Sequence, residues 1–194
     1  MSVRRFEMDA ATLKVLAHPM RVHMLRILQL RKKVSVTSLA AELGETTGAT
    51  SYHLRQLARH GLVEQFQPDD TDSGAGRKQQ WWRMAVDEIH TTGFDFLAYD
   101  ETREAAGFLF RENAADRSRR MANWYATATQ WPDEWQRASS DMAGQLELSP
   151  RQTRALADEL AAVVNRYRES APSRGARQVD VHYAVFPADT GLPR

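Results

Sequence analysis

Between residues 9 and 61 the apolar positions recur at spacings of three and four, and each run is bounded by residues that start or stop a helix. Asp9 stands as an N-cap before Leu13, Val15 and Leu16. His18-Pro19 opens the next run, since proline suits the first helical turn and pushes the residue before it into extended backbone. Val22, Leu25 and Leu28, or Met24, Ile27 and Leu28, supply its buried face, and Arg31, Lys32 and Lys33 close it at the end that favours cations. Thr37 or Ser38 caps a third helix carrying Leu39 and Leu43, stopped by Gly44. Thr46 or Thr47 caps a fourth carrying Leu54 and Leu57, stopped by Gly61. Two helices joined by so short a turn form a helix-turn-helix.

After Gly61 the period changes. "LVEQFQ" alternates Val63 and Phe66 with polar neighbours, "PDDTDSGAG" is dense in turn residues, and "RKQQWWRMAV" returns with β-favouring aromatics. A hairpin placed directly after a helix-turn-helix is a wing. Beyond it, Asp100 caps a long helix from Glu101 to about Gln130, broken at Trp131-Pro132. "GQLEL" is expected as a short strand. "SPRQ" is a capping box that opens a helix to about Ser170, with Leu156, Leu160, Val163, Val164 and Tyr167 inward. "RQVDVHYAVF" alternates Val179, Val181, Tyr183 and Val185 as a last strand, expected to share a small sheet with "GQLEL". The fold class is therefore mainly α (α+β), with a winged helix-turn-helix over 1–88 and a small helical or α+β domain over 89–194.

Charge sharpens the picture of the fourth helix. Residues 1–86 hold thirteen Lys/Arg and eight Asp/Glu, whereas 87–194 hold thirteen and seventeen, so a net +1 conceals a basic half and an acidic half. On a helix from Thr47 to His60, Thr50, Leu54 and Leu57 project to one side, and Gly48, Ser51, Tyr52, Arg55 and Arg59 to the other. That outward side has no acid. Small and hydroxylated residues near the N-terminus suit close approach to a duplex, Arg55 and Arg59 suit phosphate or guanine, and the free N–H groups of a helix start suit a phosphate. His53 lies between the two faces, either touching a phosphate or packed and hydrogen-bonded within the motif.

The segment from about Leu13 to Met84 resembles the winged helix-turn-helix of the ArsR-type bacterial regulators. The resemblance rests on "LKVLAHPMRVHMLRIL", "TSLAAELGETTGATSYHLRQLARHGLVEQF" and "GRKQQWW", and most specifically on "SYHLRQLARHGLV" from Ser51. It implies a homodimer that binds double-stranded operator DNA and usually represses. DNA contact then falls on Thr47, Gly48, Ser51, Tyr52 and Arg55, with Arg77 and Lys78 contributing from the wing, and the helix pattern itself adds Thr46 at the start and Arg59 at the end.

Other functions find less in the sequence. Zero cysteines exclude thiolate metal sites, and Asp87 with His90 lacks a further histidine partner, so neither a metal nor any other cofactor is expected. Residues 87–194 contain no G-x-G loop after a strand and no nucleophile elbow, so no enzyme is expected. The alternative is a winged helix used for protein interaction or dimerisation without specific DNA binding, which would put acidic or apolar residues on the outward face. The rings between Phe94 and Trp135 have two readings, a pocket for a small organic effector or a filled core and dimer interface. No signal-like run and no stretch of roughly 20 apolar residues occurs, so a cytoplasmic protein without membrane contact is expected.

Overall fold

The structure, a computed structural model, describes residues 4–67, 80–91 and 93–188. It is mainly α with small sheets. Contacts divide the chain into two units, Val3–Ala114 and Ala115–Arg194 with Met1–Ser2.

In the first unit the helix starts follow local chemistry. α1 (Ala10–Leu16) begins where the Asp9 carboxylate accepts from the Thr12 N–H at 2.7 Å. α2 (Pro19–Arg31) begins with proline in its first position and His18 as N-cap, whose Nδ1 accepts from the Met20 N–H at 3.2 Å. Both apolar patterns proposed for α2 are used: Val22, Met24, Leu25, Ile27 and Leu28 are all buried. α3 (Val36–Leu43) is capped by Ser35 rather than by Thr37 or Ser38; the Ser35 hydroxyl accepts from the Ser38 N–H at 3.1 Å. Ser35 also ends a strand, and the extended backbone it has there is what an N-cap requires.

Gly44 closes α3 in the left-handed region (φ +68°), and three residues later α4 (Thr47–Arg59) begins. β3 (Val63–Phe66) and β4 (Trp81–Met84) pair antiparallel from Val63↔Met84 to Phe66↔Trp81, which makes the stem of the expected hairpin. β2 (Lys33–Ser35) adds a third strand on the other side of β4, with Val34 opposite Trp82. A second, parallel pair joins β1 (Arg5–Glu7) to β5 (Glu88–His90). The Arg4 N–H donates to the Asp87 carboxylate at 2.8 Å beside it.

The core of this unit gathers Leu13, Leu16, Leu28, Leu39, Leu54, Leu57 and Leu62, and each such side chain contributes about 1.5–3 kcal/mol of burial. Ala106 and Leu109, from the first half of α5 (Asp100–Thr127), join the same core. That packing, with β5 paired to β1, is why this unit runs to Ala114, inside α5, and past the boundary at 88/89 expected after the wing.

In the second unit, α6 (Asp133–Ala138) follows the break at Trp131-Pro132, and α7 (Pro150–Glu169) starts at the expected capping box. There the Ser149 hydroxyl accepts from the Gln152 N–H, and the Gln152 side chain accepts from the Ser149 N–H at 3.0 Å. The two strands expected here do not form. Residues 144–148 and 177–186 are irregular, and Val179, Val181 and Phe186 are each at least 60% exposed. Alternation prepares a segment for a sheet, but a strand forms only where a partner satisfies its backbone. α7 likewise has no fully buried residue; of the five expected inward, Leu156, Leu160 and Val164 are half-buried, whereas Val163 and Tyr167 are 43% and 74% exposed. Arg120 is ion-paired to Asp116 and to Asp180, both at 2.9 Å.

Candidate nucleic-acid interface

α4 has a fully buried side and a fully open one. Thr50, Leu54 and Leu57 are inaccessible to solvent. At about 100° per residue, Gly48, Tyr52, Arg55 and Arg59 lie opposite them, and all four are exposed. Ser51, on the flank between the two sides, is half-buried. The helix contains eight polar or charged side chains, counting Tyr52, but no Asp or Glu; the nearest acid along the chain is Glu45 in the turn before it.

At its start, the Thr46 hydroxyl accepts from the Ala49 N–H at 3.2 Å, and the Thr50 hydroxyl donates to the Thr46 carbonyl at 2.9 Å. Thr46 is thus the N-cap, and its side chain has a structural task as well as an exposed position. The N–H groups of Thr47 and Gly48 have no acceptor within the helix, as in any first turn, and both residues are exposed. Gly48 has no steric reason to be glycine: a Cβ there would meet only the Thr46 hydroxyl oxygen, at 3.9 Å. It differs in this from Gly44 and Gly61, which hold φ values of +68° and +69°.

Of the wing, the stem is described, whereas Arg77 and Lys78 lie outside the described residues. The one basic residue in the described stem, Arg83, is committed: its Nε donates to Glu64 at 2.7 Å, and its guanidinium sits 5.0 Å from the centre of the Phe66 ring.

His53 is half-buried on the flank of α4 that faces α2. Its Nδ1 accepts from Arg21 Nε at 3.4 Å, and its ring centroid is 4.6 Å from that of His18. The phosphate and packed readings of this residue thereby meet an internal bond that sequence spacing did not show. Arg21 and His18 lie more than thirty positions upstream, and nothing local to "SYHL" points to them.

The remaining candidates behave differently. Asp87 is engaged by the Arg4 N–H, and among the described residues no three His, Asp or Glu converge to hold a metal. The aromatic run divides between the units: Phe94 and Phe110 touch edge to face at 5.4 Å in the first, and Trp124, Trp131 and Trp135 form a chain in the second. A surface cleft of about 590 Å³ in the first unit is lined by Phe96 and Tyr99 with Asp95, Asp100 and Glu101, and Asp100 is paired to Arg103 at 2.8 Å. No helix among the described residues is long and apolar enough to cross a membrane.

The family model described as "helix-turn-helix domain" matches residues 16–65. Among solved structures, the chain is similar to reduced HlyU from Vibrio cholerae (23% identity, TM-score 0.32), over 52% of this chain and 83% of that one. It is similar to the homodimeric winged helix-turn-helix DNA-binding domain of a possible ArsR-family transcriptional regulator from Mycobacterium bovis (22% identity, TM-score 0.36), over 55% and 77%. A transcriptional regulator homologue from Pyrococcus horikoshii is similar at 24% identity and TM-score 0.34, over 54% and 87%. No curated protein matches the chain.

Proposed function

We propose that this chain, whose residues 16–65 are a helix-turn-helix domain, is a homodimeric ArsR-type transcriptional repressor that reads double-stranded operator DNA with α4. The observation that carries the reading is the open face of α4. Gly48, Tyr52, Arg55 and Arg59 are exposed together on a helix without a single acid, capped by Thr46 and with Thr47 at its first position. An ordinary solvated helix mixes charge signs, whereas a helix that enters a major groove must present cations and small groups to phosphates and base edges. Ser51 serves at the edge of the contact, and Arg77 and Lys78 add phosphate contacts from the wing.

Dimerisation is supported by the second unit. Among its described residues none is buried, and α7 exposes Val163 and Tyr167 along one side. A helix with an apolar side and no core of its own is stabilised when a second copy covers that side. In the dimer two α4 helices address successive major grooves about 34 Å apart on a pseudo-palindrome. The rings of 89–194 then serve the core and the subunit interface; a small organic effector would have to lodge among them, and the carboxylate-lined cleft favours a cation over an apolar acid.

Selection of bound sequences from a random duplex pool tests this directly. A two-fold symmetric site should be enriched, and Arg55→Ala should weaken binding to it by about 1–3 kcal/mol while leaving the oligomeric state unchanged. If no sequence is enriched, the chain is not a sequence-specific DNA-binding protein and the protein-interaction alternative takes its place.

A further inference from the structure

His18, Arg21 and His53 form a cluster on the flank of α4 away from Arg55 and Arg59, where that helix meets the start of α2. Arg21 reaches in two directions: its NH1 donates to the Val15 carbonyl at the end of α1 at 2.8 Å, and its Nε donates to His53 Nδ1 at 3.4 Å. One guanidinium thus ties the first helix, the second and the fourth together. His18 Nδ1 is occupied in capping α2 at Met20, and its ring packs against His53. Tyr52, the exposed neighbour of His53, makes an edge contact with the same imidazole at 5.3 Å. Among the described residues, the acid of the α3–α4 turn, Glu45, is the one carboxylate that acts on this group.

The hydrogen bond specifies a protonation state. An imidazole nitrogen accepts only when it carries no proton, so His53 is neutral with its proton on Nε2. Its surroundings favour that form: burial first, then the charges of His18 and Arg21, hold its pKa below the ordinary histidine value, and Glu45 opposes them. A proton added to Nδ1 removes the acceptor and sets a cation against the Arg21 guanidinium at the same distance. The contact is therefore intact above the ordinary histidine range and is lost as the pH falls below it.

We propose that His53 is a positioning residue for DNA binding: as a neutral acceptor for Arg21 it seats α4 against the start of α2, and its protonation loosens operator binding. This rests on the reading of α4 as the DNA-contacting helix. A His53 that touched a phosphate directly would act in the opposite sense, since a protonated ring binds phosphate more tightly.

The test compares the full chain with His53→Asn and His53→Leu on a duplex recovered from the random pool, by fluorescence anisotropy at fixed ionic strength. Asparagine keeps an acceptor near the place of Nδ1 and does not titrate; leucine offers none. Near pH 8, His53→Leu should bind roughly three- to tenfold more weakly than the wild type, the scale of one lost hydrogen bond, and His53→Asn should bind nearly as well. On acidification the wild type should weaken relative to His53→Asn by a similar factor; His18 and His60 are common to both and drop out of the ratio. Imidazole nitrogen shifts in the free wild-type protein should show Nδ1 unprotonated and report on the contact even where His53→Leu folds poorly. A wild type that tightens relative to His53→Asn on acidification, or a protonated Nδ1 at neutral pH, overturns the inference. Equal affinity of the wild type and a folded His53→Leu overturns it while the DNA-binding reading stands. A pool that enriches nothing overturns both.

Discussion

Gly48→Ala separates what the fold needs from what a duplex needs. Gly48 sits in the first turn of α4 with ordinary helical backbone, and a Cβ there would find only the Thr46 hydroxyl oxygen, at 3.9 Å. The protein itself leaves room for a methyl group. Alanine is favoured over glycine in a helix by about 0.5–1 kcal/mol, and a first-turn position should give the lower end of that range. For a chain of this size the gain corresponds to an increase of about 1–3 °C in Tm. The same methyl group stands on the exposed face between Tyr52 and the N-terminal N–H groups. If that face lies against base edges, the extra carbon must push the helix outward, and affinity should fall about tenfold, or about 1.4 kcal/mol. Thermal unfolding followed by circular dichroism measures the first effect and anisotropy on the enriched duplex measures the second. A higher Tm with unchanged affinity would refute close approach of the α4 N-terminus to DNA. A lower Tm would refute the claim that the glycine is sterically unnecessary.

Three further outcomes are expected. Leu54→Ala, on the inaccessible side of the same helix, should destabilise the first unit by about 2–5 kcal/mol in a urea titration; a change under 1 kcal/mol would mean that α4 is not held by this core. Replacing Arg77 and Lys78 by Ala together should weaken binding to all duplexes alike and lower the slope of log affinity against log salt by about two. A change in the preferred sequence instead would make the wing a reader of bases. Val163→Asp with Tyr167→Asp should give a monomer in sedimentation analysis with the helix content retained, and a dimer that persists would place the subunit contact away from α7.

Features legible in the sequence are those whose cause lies within one turn of chain. The Asp9 cap, the left-handed Gly44 and the Ser149–Gln152 capping box each satisfy backbone groups three or four residues away, and Pro19 suits the first turn of α2 because it has no N–H to satisfy. The spacing of Leu54 and Leu57 identifies the buried side of α4, and with it the side left for Arg55 and Arg59, because a helix has only one geometry for such spacing. Tertiary structure decided what depends on a partner from elsewhere in the chain. Val34 became a strand residue because Trp82 lies across from it, and "RFE" because "EIH" runs beside it; three residues carry no period that reveals either pairing. "GQLEL" and "VDVHYAVF" carry the period but find no neighbour among the described residues, so they remain irregular. His53 makes the same point at the interface. Its place on the helix follows from numbering alone, but its proton is assigned by Arg21, thirty-two residues away, since a hydrogen bond answers to distance in space and not along the chain.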